Sequence, residues 1–247
     1  GSTDNTLSIL EEYSVKVVHS KVKGLSSQRQ LALDHSTQPF IAIVDGDDIL
    51  DKEFLGILYD EILEYKFDAL QGREIAFNPT GYCEKAMGVV NGVITHHPKP
   101  VETNMVGRPS LYRATCLKEC GFDSFFDGVG DEDTDLAIRM ELKGFRQGFG
   151  SGLTRRKQTN GWIGSFKKFR KYGRGDAKIV YKYPFKRTKL FYHLLIRYPI
   201  IRPFQAAVNG HIKYAPFFVF IGFIRAYYMA INYIKLQFLK PVFKKYA

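Results

Sequence analysis

The chain has 247 residues, long enough for a large domain with a buried core, and its 45% hydrophobic content excludes a disordered polymer. Three cysteines, Cys83, Cys116 and Cys120, form no CxxC pair, which argues against a disulfide framework or a zinc module and fits a reducing compartment. The formal charge of +11 averages two unlike parts: residues 1–150 carry 15 basic and 24 acidic side chains, whereas residues 151–247 carry 21 basic and one acidic, Asp176. The second part also holds 22 of the 36 aromatic residues, so a basic, aromatic module follows an acidic one.

In chain order, Ser2-Thr3-Asp4 offers helix-cap chemistry ahead of Leu7, Ile9 and Leu10. A helix there needs an earlier strand to pack on, and the chain does not begin with Met, so a missing N-terminal element is expected. Lys16-Val17-Val18 reads as a short strand, and Ser26 to His35 as a helix with Leu31 and Leu33 inward, ended by Pro39. Phe40 to Val44 is a continuous apolar run, the pattern of a strand buried on both faces, and it stops at Asp45-Gly46-Asp47-Asp48. From Asp51, a plausible cap, Phe54, Leu55, Leu58, Ile62 and Leu63 follow helical spacing. Ala69-Leu70-Gln71 and Val89 to Thr95 are further strand candidates. The alternation predicts an α/β layer fold with a mostly parallel sheet flanked by helices.

Ligands of open α/β sheets bind outside the carboxyl ends of strands, which is where Asp45-Gly46-Asp47-Asp48 falls. Three carboxylates in four residues repel one another unless a cation intervenes, and hard oxygen donors suit Mg²⁺ or Mn²⁺ held with substrate phosphates. A polar turn capping the next helix has the same composition, and the buried strand before it favours the site. A second acidic run, Asp131-Glu132-Asp133-Thr134-Asp135, opens a segment whose Leu136, Ala137 and Met140 share a helical face and whose Gly144 can cap the end. Its acids exceed what dipole compensation needs, and crowding can raise a carboxylate pKa toward that of a general base.

Taken in order, these segments resemble the inverting, family 2 glycosyltransferases of the GT-A fold. GSTDNT is similar to the tail of their D-D-G-S-T-D-x-T element, Gly24 to Gln30 to G-x-S-x-A-R-N, IAIVDGDD to the D-x-D strand end, and Glu132 to Arg139 to E-D-x-D-L-x-x-R. Gly107-Arg108 through Arg113, Gly121-Phe122-Asp123, and the Tyr172-Gly173-Arg174-Gly175 segment also match in order, out to about residue 176. The resemblance implies a Rossmann-like, nucleotide-diphospho-sugar transferase domain over residues 1–160, without its first β-α-β element of about 35–45 residues. It also implies a sugar-nucleotide donor, a divalent metal on Asp47 and Asp45, Asp45 near the ribose, and Asp133 as general base with Glu132 orienting the acceptor. Arg29, Arg170 and Arg174 are implied as nucleotide- and diphosphate-facing cations. A haloacid-dehalogenase-like phosphatase shares the D-x-D strand end and a later acidic motif, but Asp48 stands where that family has Thr or Val, and no Lys-bearing motif lies between the clusters.

Residues 161–247 read as a basic, aromatic-rich helical region. Polyanion binding uses the same ingredients, but the uncharged run Tyr214 to Ile224, resumed after Arg225 as far as Ile234, argues for an anionic membrane surface rather than nucleic acid. Leu190 to Ile201, broken by Arg197 and Pro199, fits shallow insertion, and Lys235, Lys240, Lys244 and Lys245 with Tyr227, Tyr228, Tyr233 and Tyr246 suit a cytoplasmic leaflet. Interfacial seating, a single span and a soluble core helix all remain open, with interfacial seating the expected form. A glycan or lipid-linked acceptor follows from that location. Trp162 is expected to pack rather than stack on a sugar, and Cys116 and Cys120 to be core residues.

Overall fold

The structure, a computed structural model, describes residues 2–95, 99–159, 161–208 and 210–238. Lys240, Lys244, Lys245 and Tyr246 of the expected membrane-facing tail lie outside the described residues. Two short helices come first, α1 (Thr6–Glu11) and α2 (Leu25–Asp34), followed by β1 (Phe40–Ile43), β2 (Asp48–Leu50), α3 (Phe54–Tyr65) and β3 (Ala69–Ala76). Next come α4 (Tyr82–Thr95), β4 (Val101–Glu102), β5 (Ser110–Arg113), α5 (Ala114–Cys120), α6 (Glu132–Leu142) and β6 (Gln147–Arg156). Beyond β6 the described residues are helical: α7 (Gly161–Lys182), α8 (Arg187–Tyr192), a wider-wound π-type segment His193–Ile201, α9 (Arg202–Val208) and α10 (Ala215–Phe238).

The sheet runs β1-β5-β3-β6-β2, with β4 added on β6. It is mixed rather than mostly parallel: β3 and β6 pair in parallel, while β1–β5, β3–β5, β2–β6 and β4–β6 are antiparallel. The expectation fails because β5 enters between β1 and β3 from the opposite end, at the close of the long 77–109 connection. β1 also lies at the end of this order, so it is half-buried instead of covered on both faces. Residues 15–20 form no strand, and Val89–Thr95 continues α4 rather than forming one.

Local chemistry explains how the layers close. Phe54, Leu58 and Ile62, four residues apart on α3, are fully buried, and each contributes roughly 1.5–3 kcal/mol. They press on a sheet face where Gly150 and Gly152 stand two residues apart, so α3 lies where side chains would otherwise stand. Glu53, not Asp51, precedes α3, because the Asp51 carboxylate pairs with Arg155 on β6. A second core joins α5 and α6 to the sheet through Tyr112, Cys116, Leu117, Leu136 and Met140. Cys116 is buried and Cys120 half-buried, as expected for core positions.

The C-terminal helices are built onto this layer. α10 lies along α7, and Gly173 makes the crossing possible: a Cβ there would stand 2.4 Å from the Arg225 carbonyl. Gly175 likewise sits against Gly130 and the Asp131 carboxylate at the start of α6. The glycines of the Tyr172-Gly173-Arg174-Gly175 segment are therefore contact points between helices. Trp162 packs on Phe217 and Phe220 and stacks on Tyr82, ring centroids 5.5 Å apart, as the packing expectation had it.

Candidate active site

The two acidic motifs meet. Asp45 follows β1, Glu132 and Asp133 open α6, and two arginines tie them together. Arg29 on α2 reaches Asp45 Oδ1 at 2.9 Å and Glu132 Oε1 at 3.0 Å. Arg108, in the loop before β5, bonds Glu132 Oε1 at 3.1 Å and pairs through Nε with Asp45 Oδ2. Arg29 is buried by this bridge and by the Phe122 ring, 5.9 Å from its guanidinium carbon. Its position is held from the far side, where the Asp127 carboxylate accepts the Ser26 and Ser27 amides at the first turn of α2.

A third arginine, Arg156 at the end of β6, neutralises the other side. It holds the fully buried Asp48 carboxylate through Nε and Nη2, both at 2.8 Å, and contacts Glu74 at 3.5 Å, Asp45 at 3.4 Å and Asp47 at 3.7 Å. Glu74 is fixed in turn by Gln158 at 2.8 Å. Asp47 is the exposed member, 57% accessible. Lys168 on α7 belongs to the same field: burial pushes its ammonium pKa down, while Glu74 and Asp47 oppose that shift.

Asp133 has no ion pair among the described residues. Its Oδ1 accepts the Thr134 amide at 2.8 Å, and its Oδ2 faces Gly107, where a Cβ would stand 3.3 Å away. Gly107 is seated by donating its own amide to Gln71 Oε1 at 2.6 Å. Burial, and then the Asp133 charge, push the Glu132 pKa up, with Arg29 and Arg108 pulling it back. Glu132 is thus a buried anchor bonded to two arginines, and Asp133 is the half-buried carboxylate beside it.

Carboxylate oxygens of Asp45, Asp47 and Asp48 lie within 4.8 Å of one another. Asp45 and Asp48 are engaged by Arg29, Arg108 and Arg156, while Asp47 keeps an exposed edge 3.7 Å from Arg156. That hard-oxygen donor set fits a divalent cation at the Asp47 edge.

Arg170 and Arg174 are exposed on α7 with no ion pair among the described residues. Each stands two positions, more than half a turn, from a residue that faces the site, Lys168 and Tyr172 respectively. Sequence reasoning passed over Arg156, Glu74 and Lys168, which lie far apart in sequence and carry no motif; Arg156, ending the long strand β6, was the nearest thing to a signal.

Behind Glu132 lies a second cluster. Asp131, with φ +72°, and Asp176 on α7 are buried, and Arg225 on α10 is 12% exposed; Arg225 bonds Asp176 Oδ1 at 2.8 Å and stands 3.6 Å from Asp131. Burial, then the Asp176 charge, push the Asp131 pKa well up. Asp135, the last acid of the motif, is also buried; it pairs with Arg139 one turn on at 2.6 Å and fastens α6 to Lys182 and the Tyr183 hydroxyl, both at 2.7 Å.

The family model described as Glycosyl transferase family 2 matches residues 1–120, which contain Arg29, Asp45, Asp47 and Arg108. Over these residues, just under half of the chain, the protein is similar to glycosyl transferase family 2. Glycosyltransferase GlyA of Streptococcus pneumoniae is 30% identical over 83 residues, 32% of this chain and 12% of that relative. The crystal structure of S. aureus TarS 1-349 in complex with UDP-GlcNAc superposes with a TM-score of 0.51 at 19% identity, over 72% of this chain and 55% of that one. A second structure of the same TarS fragment gives 0.51 at 23% identity, over 69% and 52%. The chain thus spans about half of the TarS fragment and a small part of GlyA, and the structural likeness concerns the fold: an α/β layer of GT-A type, followed by a helical C-terminal region.

Proposed function

We propose that this chain forms the acidic face of a metal-assisted glycosyltransferase that moves a sugar from a nucleotide-diphospho-sugar to an acceptor hydroxyl with inversion. The observation that carries this reading is the junction of two motifs. Arg29 and Arg108 bind Asp45 and Glu132 together, which leaves Asp133 unpaired among the described residues and Asp47 exposed on one site. In the transfer the acceptor oxygen bonds to the anomeric carbon, the bond to the diphosphate breaks, and the acceptor proton passes to a carboxylate oxygen of Asp133. Glu132, spent on two arginines, positions that carboxylate and Arg108. Asp47 and Asp45 would hold Mg²⁺ or Mn²⁺, which when bound neutralises charge developing on the leaving diphosphate. Lys168 lines the site in the cationic role the motifs gave to Arg170 and Arg174, which are left for longer-range attraction.

We further read residues 161–238 as seated on an anionic membrane surface at the cytoplasmic face. Residues Ile212–Phe238 are long and apolar enough to cross a membrane, with mean hydropathy 1.5, yet Phe217, Phe218, Ile221 and Met229 pack inward and Arg225 is ion-paired behind the site. That half-packed helix supports lying on the membrane over spanning it, and a glycan or lipid-linked acceptor follows by geometry. Titrating the full-length protein with a panel of sugar nucleotides, with and without Mn²⁺, tests the central reading. Metal-dependent binding of one donor and release of its nucleoside diphosphate on adding acceptor are expected, whereas phosphate release from phosphomonoesters without donor use would replace it with the phosphatase reading.

A further inference from the structure

Three arginines hold the carboxylates of the site, and they are not equivalent. Arg29 is buried on α2 beneath the Phe122 ring. Arg156 is the register partner of Asp48 across the β2–β6 pair and grips that buried carboxylate through two bonds of 2.8 Å. Arg108 reaches the site from the loop before β5. Its neighbour Gly107 is pinned by an amide bond to Gln71 Oε1 at 2.6 Å, while its own side chain, 19% exposed, spans from Glu132 Oε1 to Asp45 Oδ2. Two of the three cations are therefore built into packed elements, and the third is a side chain at the rim.

The rim contact falls on an oxygen that a divalent cation needs. Asp45 Oδ1 is held by Arg29, and Oδ2 by Arg108, with Arg156 at 3.4 Å. Both Asp48 oxygens are committed to Arg156, so Asp47, 3.7 Å from Arg156, is the loosely held carboxylate of the three. A hard cation takes several oxygens, commonly one or two carboxylates plus substrate phosphates, and withdrawal of Arg108 supplies the second carboxylate. What draws Arg108 away is also indicated. Lys168 on α7 forms no ion pair among the described residues, its Nζ stands 6.0 Å from the Tyr172 ring centroid, and it lies in the field of Arg156 and Arg108. An anion between Lys168 and Arg108 meets an uncommitted ammonium and a guanidinium fork that fits phosphate oxygens in pairs.

We propose that Arg108 is a resident counter-cation of Asp45 that changes partners: the donor diphosphate draws its guanidinium from Asp45 toward itself and Lys168, and Asp45 then joins Asp47 on Mg²⁺ or Mn²⁺. Metal and diphosphate enter as a pair, each raising the affinity for the other. The proposal rests on the metal-assisted transfer reading and adds to it the order in which the site assembles. Arg29 stays on Glu132 throughout, so the acidic start of α6 keeps its anchor.

The test uses two probes on full-length, nucleotide-free protein. Mn²⁺ is titrated with the free ion read by electron paramagnetic resonance, and inorganic pyrophosphate is titrated by calorimetry in metal-free buffer. Arg108→Gln is expected to bind Mn²⁺ roughly tenfold more tightly than wild type and pyrophosphate about fivefold more weakly. Lys168→Gln removes the same charge without freeing Asp45, so it should weaken pyrophosphate similarly and tighten Mn²⁺ by less than about threefold. Adding Asp47→Ala to Arg108→Gln should erase the Mn²⁺ gain. Thermal melting checks folding; if Arg108→Gln is not folded, Arg108→Lys, which cannot span both acids, is read in its place with about a threefold Mn²⁺ gain expected. A folded Arg108 variant that binds Mn²⁺ no more tightly than wild type, or pyrophosphate no more weakly, overturns the exchange and leaves the transfer reading standing. Equal Mn²⁺ gains in Arg108→Gln and Lys168→Gln reduce the effect to charge alone and also overturn it, as does a gain that survives Asp47→Ala. Nucleotide-sugar binding indifferent to Mn²⁺ removes the metal-assisted reading itself, and this proposal with it.

Discussion

Two carboxylate–arginine clusters sit back to back at the start of α6, and adjacent residues belong to each. On one side Glu132 shares Arg29 and Arg108 with Asp45, beside the exposed Asp47 and the unpaired Asp133. On the other, Asp131 shares Arg225 with Asp176, and both acids are buried between three helices. Both are built of the same groups, yet the open cluster keeps a carboxylate edge for a ligand, while the closed one has every charge turned inward. The difference lies in what covers them: α10 roofs the second cluster, and among the described residues no helix roofs the first. Similar ion pairs thus leave an open carboxylate edge in one place and dock the C-terminal helices in the other.

The largest expected effect separates them by activity. Asp133→Asn should lower the rate of transfer by roughly 10²–10⁴-fold while donor binding, read by calorimetry, stays within about twofold. Near-normal turnover would remove Asp133 from the role of base.

Stability should separate them in the opposite sense. Arg225→Met leaves Asp131 and Asp176 buried without a partner and is expected to cost about 3–5 kcal/mol in urea unfolding. Arg108→Met, 19% exposed and leaving Arg29 on both of its acids, should cost about 1–2 kcal/mol. Equal costs would break the comparison.

A smaller effect concerns the open edge alone. Asp47→Ala should reduce Mn²⁺-dependent donor binding by about tenfold or more and leave the melting temperature unchanged, because Asp47 is exposed. A variant that binds donor and Mn²⁺ as wild type does would move the metal elsewhere.

The smallest is a pH effect of the closed cluster. Because the Asp131 pKa is raised on folding, the stability tied to this group is complete below its unfolded value of about 3.9 and is lost as pH rises through its folded value. Asp131→Asn keeps an acceptor for the Thr134 hydroxyl and removes that loss, so its stability relative to wild type should improve as pH rises from acid to neutral. Unfolding curves across that range check the sign, and a variant that weakens steadily with rising pH would refute it.

Much of the candidate site was legible because its chemistry is local in sequence. Asp45-Gly46-Asp47-Asp48 at a strand end and Glu132-Asp133 at a helix start carry their positions with them, since strand and helix periods can be read from apolar spacing. Gly144, with positive φ after α6, was legible for the same reason. Arg29 was singled out, but as a nucleotide contact; its place as the bridge between Asp45 and Glu132 depends on α2 packing over the end of β1, which no local pattern encodes. Val89–Thr95 misled because a short β-branched run is compatible with strand and helix alike, and α4 absorbs it as its last turns.

The split of charge is where sequence and structure divide most clearly. The sequence alone determined that an acidic part precedes a basic, aromatic one, that the first alternates strands and helices, and that its carboxylates exceed what capping needs. Only the tertiary structure decided that the sheet is mixed, that Arg156 and Lys168 converge on Asp48 and Glu74, and that the lone acid of the basic part, Asp176, is spent on Arg225 behind the site. Period and composition are properties of neighbouring residues and survive in one dimension. Which cation neutralises which acid is a property of packing, settled when α7 meets α10 at Gly173 and the start of α6 at Gly175 and brings together charges separated by scores of residues.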